Sequence, residues 1–187
     1  MSPREDVRSK MVDGAVILLA TQGVEGTSFK EILSVADAPR GSVYHHFPGG
    51  KSEILRAALD RASGRALESM EATRGKSAAE VLERFLSLWR ALLDYSGLRA
   101  GCAVVSVTVA GPDADFLDQV GSIFRRWIDQ LAGLFVAGGM AESEARRMAT
   151  MAIAATEGAV VLSRAQQSRD PFDEVAATLT QLVAGLS

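Results

Sequence analysis

The chain has 187 residues, of which 48% are hydrophobic, with five prolines and a formal net charge of −3. These values exclude a disordered or collagen-like chain and a protein that coats nucleic acid through an overall basic surface. Residues 1–60 hold seven Lys or Arg against eight Asp or Glu, so any affinity for DNA has to come from where the cations are placed.

The N-terminal part of the chain predicts a long helix followed by a short one. Residues 5–22 carry apolar side chains in helical register, and Gly23 is well placed to end that helix. Ser28 and Glu31 have the spacing of a capping box at the start of the second helix. The apolar face of this second helix carries Phe29, Ile32, Leu33 and Ala36.

A third short helix follows after a tight turn. Pro39 cannot continue the second helix but can begin the next one. Val43 and Phe47 are spaced to point inward, which leaves hydrogen-bonding and aromatic side chains on the outer face. Two short helices joined in this way are typical of a helix-turn-helix unit that enters the major groove of DNA.

Residues 27–55 resemble the DNA-binding signature of the tetracycline-repressor (TetR) family. The positions that keep the family pattern are Thr27, Ala36, Gly41, Ser42, Tyr44, Phe47, Lys51, Glu53 and Leu55. The chain departs from the pattern at Asp37, where the family usually has glycine, at Pro39, where it often has serine, and by one additional glycine before Lys51. That glycine and residues 101–105 look like the branch that contains lincomycin-resistance repressors.

Nine residues are candidates for DNA contact. Arg40 can make a bidentate contact with guanine, and the two histidines could address a base edge or a phosphate. Gly41 permits a close approach of the backbone to the duplex, and the resemblance implies phosphate contacts for Tyr44 and Lys51. The full set is Thr27, Ser28, Arg40, Gly41, Ser42, Tyr44, His45, His46 and Lys51.

The rest of the chain predicts helices throughout. Helical patterns cover residues 51–73, 80–95, 116–135, 142–169 and 171–186, and Ser77 with Glu80 forms another capping box. Residues 104–109 are rich in valine and alone would indicate a strand, but an isolated strand would leave its backbone groups unpaired. We therefore predict an all-α chain of about nine helices. It has a three-helix DNA-binding domain over residues 1–50 and a helical ligand-binding and dimerisation domain over residues 51–187.

The C-terminal helices carry more aromatic and aliphatic surface than a slender helical domain needs. An apolar pocket for a hydrophobic or aromatic inducer is the functional interpretation, and plain core packing is the alternative for any single residue. Glu157 stands in an apolar run, so it is expected to meet a ligand, a partner-chain group or Arg164. The ligand-binding candidates are Phe85, Leu88, Trp89, Leu92, Cys102, Phe124, Trp127, Ile128 and Glu157.

The last two helices are predicted to form a dimer. Residues 142–169 are dense in small side chains, which let another helix approach closely. With residues 171–186, as the resemblance implies, they would form a four-helix bundle across a twofold axis, so that two recognition helices face successive major grooves of a palindrome. The expected interface residues are Met148, Ala152, Ala155, Ala159, Leu162, Phe172, Val175, Leu179 and Leu182.

No catalytic or metal-binding constellation emerges. His45 and His46 are adjacent, so they cannot readily bind one metal ion from a helix, and Cys102 has no histidine near it in the sequence. We expect no cofactor and no enzymatic activity, with a small helical enzyme as the remote alternative. The primary hypothesis is a dimeric repressor that a small-molecule inducer releases from a palindromic operator. The alternative is an activator or a corepressor-dependent regulator of the same fold.

The sequence also predicts where the protein resides. The first residues are charged and lack an apolar signal core. The apolar run at residues 100–112 is shorter than the ~20 residues that cross a bilayer. We therefore expect a cytoplasmic protein that binds double-stranded DNA, an inducer and a second copy of itself, and has no membrane partner.

Overall fold

The computed structural model describes residues 3–39, 41–110 and 114–186. Within these ranges the chain forms nine helices and no strand, which confirms the predicted all-α fold. The helices are α1 (Pro3–Gly26), α2 (Phe29–Ala36), α3 (Ser42–His46), α4 (Gly50–Glu71), α5 (Ala78–Ser96), α6 (Ala103–Val109), α7 (Ala114–Ala137), α8 (Glu142–Gln166) and α9 (Asp170–Ala184). None of the helices in the described ranges has the length and apolar character that a bilayer span requires.

Local signals in the sequence account for several helix ends. The backbone of α1 is broken at Gly23, which has φ 71° and ψ −170°. The capping box of α5 is complete, because the Glu80 N–H donates to Ser77 Oγ and the Ser77 N–H donates to Glu80 Oε2. The valine-rich run forms α6 because it packs against α1, and this tertiary contact overrides the β propensity of valine.

The chain packs as two compact units, of which the first comprises Met1–Gly64 and Cys102–Gly121. In this unit Arg61 joins α4 to α1, since its guanidinium donates to Asp13 Oδ1 at 2.8 Å and to Ser9 Oγ at 3.2 Å. Its fully buried large side chains include Met11, Leu19, Ile32, Phe47, Ile54 and Leu59. The assignment of residues 1–50 as a separate DNA-binding domain stays a prediction.

The second unit comprises Arg65–Gly101 and Ser122–Ser187. Helix α9 is tied to α8 by the Phe172 N–H, which donates to Ser163 Oγ at 3.2 Å. The Arg169 guanidinium, which precedes α9, donates to Asp94 Oδ1 at 2.9 Å and to Asp173 Oδ2 at 3.1 Å. These hydrogen bonds to Asp94 and Asp173 raise the pKa of Arg169.

The junction of α5 and α7, also in the second unit, brings two backbones into direct contact. The Ala78 N–H donates to the Gly138 carbonyl at 3.2 Å. A Cβ at Gly138 would lie 2.5 Å from Ala78 N and 2.8 Å from Ser77 C. Backbone atoms cannot move aside as a flexible side chain can, so the fold requires glycine here.

Candidate nucleic-acid interface

Helix α2 begins at Phe29, six residues after the break at Gly23. Ser28 Oγ accepts a hydrogen bond from the Glu31 N–H at 3.2 Å and so caps the helix. Thr27 is fully buried, and its hydroxyl donates to the Gly23 carbonyl at 2.7 Å. The Thr27 hydroxyl is therefore used within the fold, and a DNA contact of this residue stays a prediction.

A left-handed residue closes the turn between α2 and α3. Asp37 has φ 48° and ψ 49°, and its N–H donates to the Leu33 carbonyl. The Ala38 N–H donates to the same carbonyl at 3.0 Å. The Pro39 carbonyl then accepts hydrogen bonds from the N–H of Ser42 at 3.0 Å and from its hydroxyl at 2.5 Å. These bonds fix the direction in which α3 leaves the turn.

Helix α3 divides its side chains between the core and solvent. Val43 and Phe47 are buried, as the sequence predicts. Tyr44 is 72% exposed, His45 is exposed and His46 is half-buried. The outer face of α3 therefore presents a phenol and two imidazoles, which can donate or accept hydrogen bonds.

Gly41 lies at the start of α3 under no constraint from the fold. Its backbone has φ −76° and ψ −13°, which any residue adopts, and it is exposed. A Cβ at this position would meet no atom within 4 Å. Neither conformation nor packing requires a glycine here. The preceding candidate, Arg40, lies outside the described residues.

A groove of about 650 Å³ runs between α2 and α3. Its wall carries Lys30, Ser34 and Asp37, all exposed, and the ring of Tyr44, which meets the ring of Phe29 edge-on with centroids 6.0 Å apart. Lys30 and Ser34 were not among the nine predicted contacts. The sequence does place Lys30 among the cations that could gather on one side for DNA, and Ser34 follows it by four residues on α2, away from the apolar face.

The cations around α3 are held in defined positions. Lys51 is half-buried, and its Nζ donates to the Val24 carbonyl at 2.9 Å, which leaves two of its three N–H groups for other partners. The Arg8 guanidinium carbon lies 4.8 Å from the centroid of the Phe47 ring, a cation–π contact. Lys10 bonds to Asp6 at 2.7 Å, and this hydrogen bond raises the pKa of Lys10.

The additional glycine before Lys51 has a structural explanation. Gly50 adopts φ 76°, which favours glycine, and α4 begins there. The Gly49 N–H donates to Glu53 Oε2 at 2.8 Å, so the carboxylate satisfies a backbone donor at the helix start. The longer loop thus ends in a capped α4.

The nine ligand-binding candidates lie in both units. Cys102 is in the first unit, and the other eight are in the second. Phe85, Trp89 and Trp127 are buried, while Leu88, Leu92, Phe124, Ile128 and Glu157 are half-buried. The structure brings the rings of Phe124 and Trp127 together edge-on, with centroids 5.6 Å apart. Ligand binding by this set stays a prediction.

The nine dimer candidates divide into buried and exposed residues. Met148, Ala152, Ala159, Phe172 and Leu179 are buried within a single chain. In the single chain they expose little surface, and their place at an interface stays a prediction. Ala155 and Val175 are half-buried, and Leu162 and Leu182 are exposed. The exposed apolar residues of α8 also include Met151 and Val161, which the sequence interpretation missed.

Two family models match the chain. "Bacterial regulatory proteins, tetR family" matches residues 11–58, and "Transcriptional regulator LmrA/YxaF-like, C-terminal domain" matches residues 78–178. The HTH-type transcriptional regulator Rv0196 of Mycobacterium tuberculosis (strain ATCC 25618 / H37Rv) is 31% identical over 183 residues, 94% of this chain and 93% of that protein. The HTH-type transcriptional regulator LmrA of Bacillus subtilis (strain 168) is 25% identical over 186 residues, 95% and 97% of the two chains.

Solved structures share the fold. The regulatory protein TetR from Rhodobacter sphaeroides has a TM-score of 0.82 at 20% identity, over 94% of this chain and 97% of that one. A TetR transcriptional regulator from Chloroflexus aurantiacus J-10-FL has a TM-score of 0.80 at 23% identity, over 98% of this chain and 97% of that one. The resemblance predicted from the helix-turn-helix and from the later glycine-cysteine run is thereby confirmed. With one family model spanning more than half of its length, this chain belongs to the TetR family of transcriptional regulators and carries an LmrA/YxaF-like C-terminal domain.

Proposed function

We propose that the protein is a DNA-binding repressor that places α3 in the major groove of an operator. The observation that carries this proposal is Gly41, an exposed glycine that the fold does not require, at the start of a helix that exposes Tyr44 and His45. A residue without a side chain allows the backbone to approach the duplex closely. The side chains next to it then reach base edges and phosphates.

Roles within this surface follow from position and chemistry. Lys30 and Ser34 on α2 and Lys51 at the start of α4 suit phosphate contacts, which position the protein without reading sequence. Tyr44 suits a phosphate as well, because its hydroxyl lies on an exposed ring. His45 is the described side chain best placed to meet a base edge. The sequence adds Arg40 as a partner for guanine.

The test is the substitution Gly41→Ala with a matched control. Gly133 is also exposed, lies inside α7 and would accept a Cβ with no atom within 4 Å. Affinity is measured by fluorescence anisotropy on the duplex that the wild-type protein selects from a random library. We expect Gly41→Ala to weaken binding by more than tenfold while the protein stays folded, and Gly133→Ala to leave binding unchanged. Equal affinity of all three proteins would refute the proposed contact.

We propose that two copies associate through the exposed apolar face of α8 and α9. Met151, Val161, Leu162 and Leu182 are each about half exposed in the single chain, with fractions from 48% to 55%. On α8, Met151 and Leu162 are eleven residues apart, close to three helical turns, so they share one side of the helix. An apolar stripe of this kind loses contact with water when a second copy covers it.

The dimer proposal is tested with a charge placed in that stripe. Leu162→Glu is expected to convert the dimer to a monomer in analytical ultracentrifugation and to weaken operator binding. Val136→Glu is the control, since Val136 on α7 is also an exposed apolar residue, at 42%. A wild-type protein that sediments as a monomer, or a Leu162→Glu variant that stays dimeric, would contradict the proposal.

We propose that an apolar or aromatic small molecule acts as inducer by binding among the C-terminal helices. The contact between Phe124 and Trp127 supports an aromatic wall, and Phe85 and Trp89 add further buried surface. Helix α4 is one continuous helix of 22 residues, and a helix rises ~1.5 Å per residue. A ligand that shifts its end would therefore shift its start, next to α3, and change the spacing of the two DNA-binding surfaces.

The inducer proposal is tested with 1-anilinonaphthalene-8-sulfonate as an apolar aromatic probe. Both tryptophans of the chain, Trp89 and Trp127, belong to the candidate set, so binding should quench their fluorescence. We expect saturable quenching that parallels release of labelled duplex, and weaker effects for Phe124→Ala. Tyr95→Ala is the control, because Tyr95 is 93% exposed. Quenching without any release of the duplex would count against an inducer site.

A further inference from the structure

Of the described residues that line the groove between α2 and α3, one is a cation and one is an anion. Lys30 and Asp37 are both exposed there, beside the ring of Tyr44. A surface that meets phosphates gains affinity from its cations, because binding releases the counterions of DNA, and it loses affinity from its carboxylates. Asp37 therefore opposes the contribution of Lys30.

The carboxylate of Asp37 is exposed. Among the residues that the structure describes, it makes no hydrogen bond and no ion pair. Lys10 responds to this charge: its pKa is raised first by the hydrogen bond to Asp6, and the Asp37 carboxylate also raises it. Lys10 bonds to Asp6 at 2.7 Å. The field of the Asp37 carboxylate thus extends into the groove.

The backbone holds Asp37 in place. Its left-handed conformation, φ 48° and ψ 49°, and its N–H bond to the Leu33 carbonyl form the C-terminal cap of α2. The side chain cannot leave the groove by a local backbone rotation without breaking this cap. A glycine would adopt the same conformation without strain, so the fold does not require the carboxylate.

We infer that Asp37 limits the affinity of the protein for DNA of any sequence and so keeps the complex easy to release. The inference rests on the proposed DNA contact of α3. The effect is electrostatic, so it should be largest at low salt and fade as ions screen the charge. Because phosphates are common to all duplexes, the carboxylate should lower the affinity for selected and unselected duplexes by the same factor.

The test compares Asp37→Asn with wild type on two duplexes, the selected one and a scrambled one of the same composition. Asparagine removes the charge and tolerates the left-handed conformation. At about 50 mM salt we expect the variant to bind both duplexes roughly three- to tenfold more tightly, and at about 300 mM salt we expect the two proteins to converge. The control is Glu174→Gln, which makes the same change of net charge at an exposed residue of α9. It should leave both affinities unchanged.

A second variant separates charge from backbone strain. Asp37→Gly should give the same gain as Asp37→Asn, and a gain in the glycine variant alone would overturn the inference. Equal affinity of Asp37→Asn and wild type, weaker binding by Asp37→Asn, or an equal gain in Glu174→Gln would also overturn it. A wild-type protein that selects no sequence would refute the proposed repressor instead, while the scrambled duplex would still test Asp37.

Discussion

Gly41 in the helix-turn-helix and Gly138 at the junction of α5 and α7 are both glycines, but the space around them differs. At Gly138 three backbone atoms of the facing segment lie within 3 Å of the position that a Cβ would occupy, whereas at Gly41 no atom lies within 4 Å. Packing accounts fully for the first glycine and not at all for the second. The comparison separates residues that build the fold from residues that are open to a partner, and it places the surface around α3 in the second group.

The largest effect on stability is expected where α5 meets the end of α7, at Gly138. Gly138→Ala would force Cβ against the backbone of Ser77 and Ala78, so α5 and α7 would have to separate. We expect a loss of about 3 kcal/mol in the free energy of unfolding, measured by urea denaturation, and a fall in Tm of roughly 10 °C. Gly133→Ala should instead leave stability unchanged or raise it by up to about 1 kcal/mol. A Gly138→Ala protein as stable as wild type would break the comparison.

Thr27 allows the same comparison within the helix-turn-helix, because it is buried while neighbouring candidates such as Tyr44 are exposed. Thr27→Val removes the hydroxyl that donates to the Gly23 carbonyl. We expect a cost of about 1–2 kcal/mol in thermal or urea unfolding, with the operator affinity of the folded protein unchanged. Thr21→Val removes an equivalent bond, to the Ile17 carbonyl at 2.7 Å, at an exposed site and should cost less. Loss of operator affinity with full stability would instead support Thr27 as a DNA contact.

Two left-handed residues, one in each unit, allow two helix caps to be compared. Asp37 caps α2 with φ 48°, and Gln167 caps α8 with φ 51°. Glycine relieves the steric cost of a side chain in this region, so Asp37→Gly should gain about 0.5–1 kcal/mol in urea unfolding. Gln167→Gly should gain less, because it also removes the hydrogen bond that Gln167 Nε2 donates to the Arg164 carbonyl at 2.7 Å. A loss of stability in Asp37→Gly would mean that the Asp37 side chain supports the turn.

The smallest effect is expected from pH at the start of α5. The hydroxyl of Ser77 and then its N–H lower the pKa of Glu80. The pKa is lower in the folded chain than in the unfolded chain, so this contribution is present above the unfolded pKa and is lost as pH falls through the folded one. We expect the stability difference between wild type and Ser77→Ala in urea unfolding to shrink between about pH 6 and about pH 3.5. The same difference at both values would contradict this assignment.

The sequence predicted the nine helices because their signals are local. Gly23 breaks α1, Ser28 caps α2, and Ser77 with Glu80 caps α5, all as the pattern indicates. Helix α6 is the exception, because its valines favour a strand. Only the lack of a partner strand argued for a helix there. The outward direction of Tyr44 and His45 also followed from the spacing of Val43 and Phe47.

The direction of other side chains could not be read from the sequence. The hydroxyl of Thr27 turns inward because Gly23 bends the chain, and no pattern of residue types encodes that bend angle. Helix α8 is apolar on more than one side, so periodicity could not separate the side that packs on its own chain from the side that exposes Met151 and Leu162. The sequence therefore predicted buried residues such as Ala152 and exposed ones such as Leu162 as a single interface.

Sequencing the duplexes that the full-length protein retains from a random library tests the central claim most directly. That claim is that the surface from Gly41 to His46 lies against DNA and is presented twice. The account predicts enrichment of two inverted half-sites whose centres lie about one helical turn, or a multiple of it, apart, and no enrichment by Gly41→Ala at the same concentration. No enriched sequence for the wild-type protein, or the same half-sites enriched by Gly41→Ala, would contradict it.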